Sequence, residues 1–208
     1  MQARVGKSVE NAGMALSFSD IAQAARGLGL DPCIIKAVVE VESGGSGFLP
    51  DGRTKILFEG HVFWKELQRR GIDPAPLASK YPNVIYPKWD RSRYKGGAAE
   101  WERLHIAASV NKDAALCSAS WGLFQIMGFN HRACGFGSVQ AFVDAQGESE
   151  AKQLESFCAF MRSEGLVLFL TGLDWAGFAR RYNGPGYAAN QYDVKMRKAY
   201  ERCKAAGV

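Results

Sequence analysis

The stretch AVVEVESGGSGF, residues 37–48, sets Glu40 and Glu42 one residue apart and then breaks into glycines. A carboxyl group does acid chemistry near neutral pH only if its surroundings make it hold its proton. On a helix each residue turns about 100°, so the two glutamates face different ways. Ile35, Val38 and Val39 lie at i, i+3 and i+4, and Glu42, at i+7, falls in the same apolar stripe. Glu40 points away from Ile35, one turn from Lys36, and reads as half of a surface pair. Partial burial disfavours the charged form of Glu42. So does its place in the last helical turn, at the negative end of the helix dipole. Both effects favour a group able to protonate a leaving oxygen. The alternative is a glutamate partly buried against an arginine.

The elements that must hold such a group are mostly helices. Ser19 and Asp20 suit the start of a helix that runs to Arg26 and ends at Gly27 and Gly29. Asp31-Pro32 is a strong second start, with Asp as the cap and Pro at the first helical position. That helix runs to about Ser43, where Gly44 and Gly45 stop it. Pro50-Asp51-Gly52, flanked by Phe48-Leu49 and by Lys55 to Phe58, predicts a small β-hairpin. His61 to Arg70 is again helical. Residues 71–97 carry prolines and aromatics without a clear period and read as a long loop region. Further helices are expected over 98–109, 113–118, 138–145, 148–163, 166–181 with a break near Gly172, and 189–205. The fold class is mainly α (α+β), a helical bundle around a catalytic helix with one small β-hairpin. Residues 1–17 are weakly patterned and read as a flexible leader or linker stub, leaving 18–208 as the folded domain.

Bulk properties narrow the function. The chain has 208 residues, 47% hydrophobic and 23% charged, enough for one sizeable core or two small ones. No apolar run approaches the ~20 residues of a membrane-spanning helix. The opening MQARVGKSVENAGMALSFSD lacks the apolar centre and cleavage site of a secretory signal, so the chain is expected to be made in the cytoplasm or to have lost an upstream segment. Cysteines 33, 117, 134, 158 and 203 are odd in number, scattered and without a CxxC pair, and are expected to be reduced core thiols. His61, His105 and His131 are too few and too dispersed for a metal cluster, so no metal and no cofactor is expected. The net charge of +5 favours an anionic partner, whether nucleic acid, membrane surface or cell-wall polymer. The basic run KMRKAYERCK alternates at helical spacing and reads as a solvated face.

Three segments then carry a resemblance. SASWGLFQIMGFN (118–130) resembles the Gly-Leu-x-Gln-Ile segment of the lysozyme-like superfamily, which includes goose-type lysozymes and lytic transglycosylases. Glu42-Ser43 resembles its catalytic glutamate at a helix end, and FARRYNGPGY (178–187) its Tyr-Asn motif, all in matching order. More closely, AVVEVESGGSGFLPDGRTKILFEGHVF, SASWGLFQIMGFNHRACGF and DWAGFARRYNGPGYAANQYD are similar to the N-acetylmuramidase domain of modular endolysins from phages of Gram-negative bacteria. The likeness spans roughly residues 19–205. Such endolysins often carry an N-terminal peptidoglycan-binding domain, and none is visible in this sequence.

The resemblance implies roles. Glu42 becomes the catalytic acid, and Ser43 either orients it or caps the helix end. Gly44, Gly45, Gly47 and Gly122 would let the backbone reverse and approach a sugar chain. Gln125 either binds a sugar hydroxyl or acetamido group, or is a buried amide bracing the Tyr-Asn loop. Trp121 either stacks on a pyranose face or is a core tryptophan. Tyr182 and Asn183 suit the acetamido group or the proton on Glu42. For the base that activates water, Glu59 is favoured, Asp51 is second with an evident turn role, and a third possibility is that the substrate's own acetamido or hydroxyl group assists. His61 pairs with Glu59 or is structural. Tyr81, Tyr86, Trp89, Arg91, Arg93, Tyr94 and Lys95 could line a polysaccharide groove, or stack nucleotides.

The leading expectation is an enzyme that cleaves the β-1,4 bond between N-acetylmuramic acid and N-acetylglucosamine. Its partner would be the glycan strands of peptidoglycan, with no nucleic acid, no stable membrane insertion and a monomeric state. It would be made in the cytoplasm and act in the periplasm after release by a holin. The rival activities are a lytic transglycosylase forming 1,6-anhydro products and a peptidoglycan-binding phage component without turnover.

Overall fold

The structure is a computed structural model and describes residues 15–43 and 45–207. In chain order the helices are α1 (Phe18–Leu28), α2 (Pro32–Glu42), α3 (Gly60–Arg69), α4 (Ala75–Lys80), α5 (Ala99–Val110), α6 (Lys112–Cys117), α7 (Val139–Glu148), α8 (Glu150–Ser163), α9 (Val167–Thr171), α10 (Trp175–Asn183) and α11 (Tyr192–Ala205). The strands are β1 (Ile56–Phe58), β2 (Ala119–Trp121) and β3 (Ile126–Met127). The mainly α class with a small antiparallel sheet is as expected. The chain divides into two units: one takes residues up to Gly45 and from Ser149 onward, the other spans Ser46–Glu148. Among the described residues no helix is long and apolar enough to cross a membrane, and no group of three His, Cys, Asp or Glu side chains gathers in a way that could hold a metal ion.

The first unit is built around α2. Asp31 caps it by accepting from the Cys33 N–H at 2.8 Å, with Pro32 next, as the Asp-Pro signal predicts. Cys33, Ile34, Ile35, Ala37 and Val38 are all buried, so the apolar face is wider than a single stripe. The reason is that α1 and α11 both pack against α2, which makes it a central helix. Each of its buried large aliphatic side chains contributes about 1.5–3 kcal/mol. Glu40 lies on the exposed side as expected, but its partner is Arg202 of α11 rather than Lys36. The Lys36 ammonium instead lies over the Phe18 ring, 5.8 Å from its centre. Helix α1 starts two to three residues earlier than the sequence suggests: Ser17 is the cap, and Asp20 closes a capping box with it. Of the leader expected over 1–17, residues 1–14 lie outside the described residues, while Leu16 donates its N–H to Glu150 at 2.9 Å. The predicted break at Gly172 is present, between α9 and α10.

The expectation of five reduced thiols is corrected here. Cys33 and Cys203 form a disulfide, with Cα atoms 5.5 Å apart and a sequence separation of 170. Cys33 sits in the first turn of α2 and Cys203 in the last turn of α11, and packing of α11 along α2 brings them together. The other three are buried thiols, and burial pushes Cys134 and Cys158 up to about 12.

The second unit holds the sheet, ordered β1-β2-β3 and antiparallel throughout, with Phe58 opposite Ala119 and Trp121 opposite both Ile56 and Ile126. The hairpin expected around Pro50 survives as one bridge, Phe48 to Thr54, and a tight turn. Strand β1 pairs with β2, far along the chain, rather than with Phe48-Leu49. The region 71–97, expected to be loop, contains the short helix α4 and a 3₁₀ turn at Arg91–Arg93.

Behind the sheet lies a fully buried ion pair. Glu100 and Arg103 side chains are 0% and 5% exposed, with Arg103 Nη1 2.6 Å from Glu100 Oε2. Glu100 Oε2 also accepts the Phe58 N–H at 3.1 Å, and its Oε1 accepts from Lys95 N at 2.6 Å and Gly96 N at 3.0 Å. Arg103 donates to Phe58 O at 2.9 Å, Asn83 O at 3.2 Å and the Tyr86 hydroxyl at 3.0 Å. That hydroxyl accepts the N–H of Gly60, and a Cβ on Gly60 would strike the Tyr86 ring.

Two outcomes are expected. Unfolded without reductant, the protein titrates three thiols, and after reduction five. Reduction also lowers the thermal midpoint, corresponding to about 2–5 kcal/mol for a loop this long. Arg103→Ala strands the Glu100 charge in the core and costs about 3–5 kcal/mol in denaturant unfolding.

Candidate active site

In the first unit, Glu42 is the last residue of α2. Ser43 turns to an extended conformation (φ −78°, ψ 127°) while its N–H bonds Val39 O at 2.9 Å, which ends the helix. Gly45 follows with φ 98°, a region open mainly to glycine. Gly44, expected to share in this reversal, lies outside the described residues. Glu42 is half-buried, and Asn183 Nδ2, at the end of α10, donates to its Oε1 at 2.9 Å. Burial pushes the Glu42 carboxyl above the usual glutamate range, and the Asn183 donor, which favours the ionised form, offsets part of that rise. Among the described residues no arginine or lysine forms an ion pair with Glu42, unlike the alternative read from the sequence. Its position at the helix C-terminus works in the same direction as burial. Both effects shift Glu42 toward the neutral acid relative to a solvated glutamate, and the amide fixes the carboxyl's orientation without bringing a full charge. Tyr182, one residue before Asn183, has its ring in an aromatic cluster with Phe157, Phe160 and Phe178, at 5.5, 6.3 and 5.7 Å. This cluster steadies the end of α10.

In the second unit, Glu59 joins β1 to α3. Its N–H bonds Ser118 O at 2.9 Å, and its carbonyl accepts from Phe63 N at 2.9 Å to open the helix. The side chain does not cap that helix and is only 16% exposed. Glu59 Oε2 accepts a hydrogen bond of 2.5 Å from the Tyr94 hydroxyl. His61 Nδ1 lies 3.3 Å from the same oxygen, but the angle does not make a hydrogen bond, and this buried nitrogen has no hydrogen-bond partner among the described residues. Burial holds His61 below the usual histidine range, against the pull of Glu59 and reinforced by Lys65. The Tyr94 phenol is pushed far above its usual range, by burial first and then by Glu59, so it remains a donor.

Asp51 is placed otherwise. It is exposed in the turn, accepts the Arg53 N–H at 3.1 Å and pairs with the Arg53 guanidinium at 2.6 Å. The Arg53 hydrogen bond holds its carboxyl below the usual range, and the turn role accounts for it. Trp121 is a core tryptophan rather than a sugar platform: it is 1% exposed, its indole N–H donates to Leu116 O at 3.1 Å, and Trp101 packs on it at 5.8 Å. Gln125 braces its own turn. Its Nε2 donates to Gly122 O at 2.8 Å and Lys55 O at 3.3 Å, while its Oε1 accepts from the Ser120 hydroxyl at 2.9 Å. Gly122 and Gln125 both have positive φ, 70° and 49°, a conformation uncommon for a non-glycine residue such as Gln125, whose side-chain bonds hold the turn.

The aromatic and basic loop splits into two groups. Tyr86 is buried and Arg93 lies over its ring at 4.8 Å, so these are structural. Trp89 is 62% exposed and meets Tyr94 edge-on at 6.4 Å. The sequence reading did not pair Tyr94 with Glu59, and it passed over Glu100 and Arg103. A signal for the latter pair exists: Glu100, Arg103, Leu104 and Ala107 share i, i+3, i+4, i+7 spacing, which places both charges on the buried face of α5.

Comparison with known proteins addresses the family and the fold. The model of the family described as N-acetylmuramidase matches residues 31–204. A search of curated proteins found no match. Among solved structures, the crystal structure of a Burkholderia AP3 phage endolysin is similar with a TM-score of 0.86 and 44% identity, over 91% of this chain and 71% of that one. A family match over most of the chain, together with a solved neighbour at this identity, makes it a glycoside hydrolase of peptidoglycan, and the chain belongs to the N-acetylmuramidase family.

Proposed function

We propose that the chain is an endolysin-type muramidase that hydrolyses the β-1,4 bond from N-acetylmuramic acid to N-acetylglucosamine, with Glu42 as general acid. The observation that carries this is the environment of Glu42: half-buried, at a helix C-terminus, and among the described residues held by one amide donor and paired with no cation. Glu42 gives its proton to the glycosidic oxygen as the bond to the anomeric carbon breaks and positive charge develops on the sugar. Glu59 is assigned to the attacking water. It takes one proton as the water oxygen bonds to the anomeric carbon, and both carboxyl groups return to their starting states by exchange with solvent. Asp51 is set aside for this role, because its carboxylate is occupied by Arg53 on an exposed turn. The substrate is glycan strand, and the enzyme acts as a monomer without a cofactor or nucleic acid. It is made inside the host cell and reaches the wall after release by a holin, and the Cys33–Cys203 disulfide suits an oxidising compartment outside the cytoplasm.

Glu42→Gln is expected to keep the fold and lose at least about 10³-fold in turnover on purified peptidoglycan. Near wild-type release of reducing ends by this variant would rule out the assignment. The products of the wild-type enzyme should retain one added water by mass spectrometry, and anhydro-muropeptides would instead indicate a transglycosylase.

The pH dependence has a definite sign. A carboxyl group whose folded pKa is raised contributes stability at pH below its ordinary value and loses it as the pH climbs through the folded value. Glu42→Gln should therefore melt higher than the wild type at neutral pH, and the difference should shrink in acid, where both side chains are neutral. Asn183→Leu removes the donor that favours the ionised form, so the alkaline limb of kcat/KM should move to higher pH. An unmoved limb would mean that Glu42 does not titrate that limb.

A further inference from the structure

Tyr94 and Glu59 meet because one buried carboxylate holds the backbone beside each of them. Glu100 Oε2 takes the N–H of Phe58, the residue before Glu59, and Glu100 Oε1 takes the N–H groups of Lys95 and Gly96, directly after Tyr94. The Tyr94 ring is fixed from both sides, with Trp89 edge-on at 6.4 Å and the Arg103 guanidinium 5.9 Å from its centre. Its hydroxyl then lands on Glu59 Oε2 at 2.5 Å. The groups facing the Glu59 carboxyl are Tyr94 and His61, both at Oε2, with the Glu100–Arg103 pair behind them and Lys65 beyond His61. Oε1 has no hydrogen-bond partner among the described residues.

We infer that Tyr94 is the positioning residue for Glu59: by engaging Oε2 it fixes the carboxylate's rotamer and turns Oε1 toward the water that Glu59 activates. This rests on the proposed role of Glu59 as base. Tyr94 itself transfers no proton. Its phenol is held protonated by burial and by Glu59, so it stays a donor through the working pH range. His61, kept neutral by burial, adds no competing charge at the same oxygen. A carboxylate free to rotate would present either oxygen, and a displacement of about 1 Å at a reacting group can cost about 100-fold in rate.

The experiment uses the full chain with purified peptidoglycan as substrate and reducing-end release as readout. Tyr94→Phe keeps the ring and both of its packing contacts and removes only the hydroxyl. Its thermal midpoint should be unchanged, kcat should fall about 10- to 100-fold, and KM should stay within about twofold. The acid limb of the pH profile should move to higher pH, because a carboxylate that loses a donor holds its proton more firmly. A kcat within about twofold of wild type, or a lower kcat with the acid limb unmoved, would overturn the inference. If Tyr94→Phe does not accumulate as folded protein, 3-fluorotyrosine at position 94 keeps ring and hydroxyl and strengthens the donor. The acid limb should then move to lower pH, and an unmoved limb again overturns the inference. Glu59→Gln, measured in parallel, separates the two claims. Near wild-type turnover by that variant overturns both the base assignment and the role of Tyr94. An inactive Glu59→Gln beside an unaffected Tyr94→Phe overturns the role of Tyr94 alone.

Discussion

The second unit is organised by the buried pair Glu100–Arg103. Removing both charges from water is expensive, and their attraction alone does not repay it. The geometry recovers the cost through hydrogen bonds, since the pair satisfies the N–H and C=O of Phe58, the N–H groups of Lys95 and Gly96, the carbonyl of Asn83 and the hydroxyl of Tyr86. What results is register: the end of β1, the turn before α5 and the loop around Tyr86 are tied to one another through side chains that have no freedom to slip. An apolar pair of similar volume could fill the space, but it could not fix these backbones in this way.

Glu42 shows the opposite treatment of a buried acid. Glu100 is given a cation and three backbone N–H donors, and its task is structural. Glu42 is given one amide. An amide orients a carboxyl group without supplying the full charge that would hold it ionised. The same chain thus gives two glutamates opposite environments, and the contrast lies in the partner rather than in the residue.

What was legible in the sequence was local. The helical phase of Glu42, the Asp31-Pro32 start and the break at Gly172 each depend on neighbours within a turn or two, and each is present. The one-sided stripe on α2 widened because two other helices cover it, a fact no window of its own sequence contains. The same limit hid the Cys33–Cys203 bond, separated by 170 residues, and the pairing of Glu40 with Arg202. Strands β2 and β3 were read only as a motif, because three and two residues are too short to show alternation. Trp121 stood next to glycine in a sugar-site motif, yet its pairing across the sheet buries it. For the candidate site, phase separated Glu42 from Glu40, and the resemblance supplied Asn183. The contact of Tyr94 with Glu59 depends on how Glu100 folds a loop back on β1, which spacing alone does not encode.

The bond between Cys33 and Cys203 has a topological consequence. It closes residues 33–203 into a covalent ring. A single backbone cut anywhere within that ring opens it but does not divide the molecule. Proteolytic nicks in loops as exposed as those around Asp51 or Lys88 would therefore leave both pieces joined, and a fragment could drift away only after a second cut or a reductant. Damage to one loop therefore need not mean loss of a half.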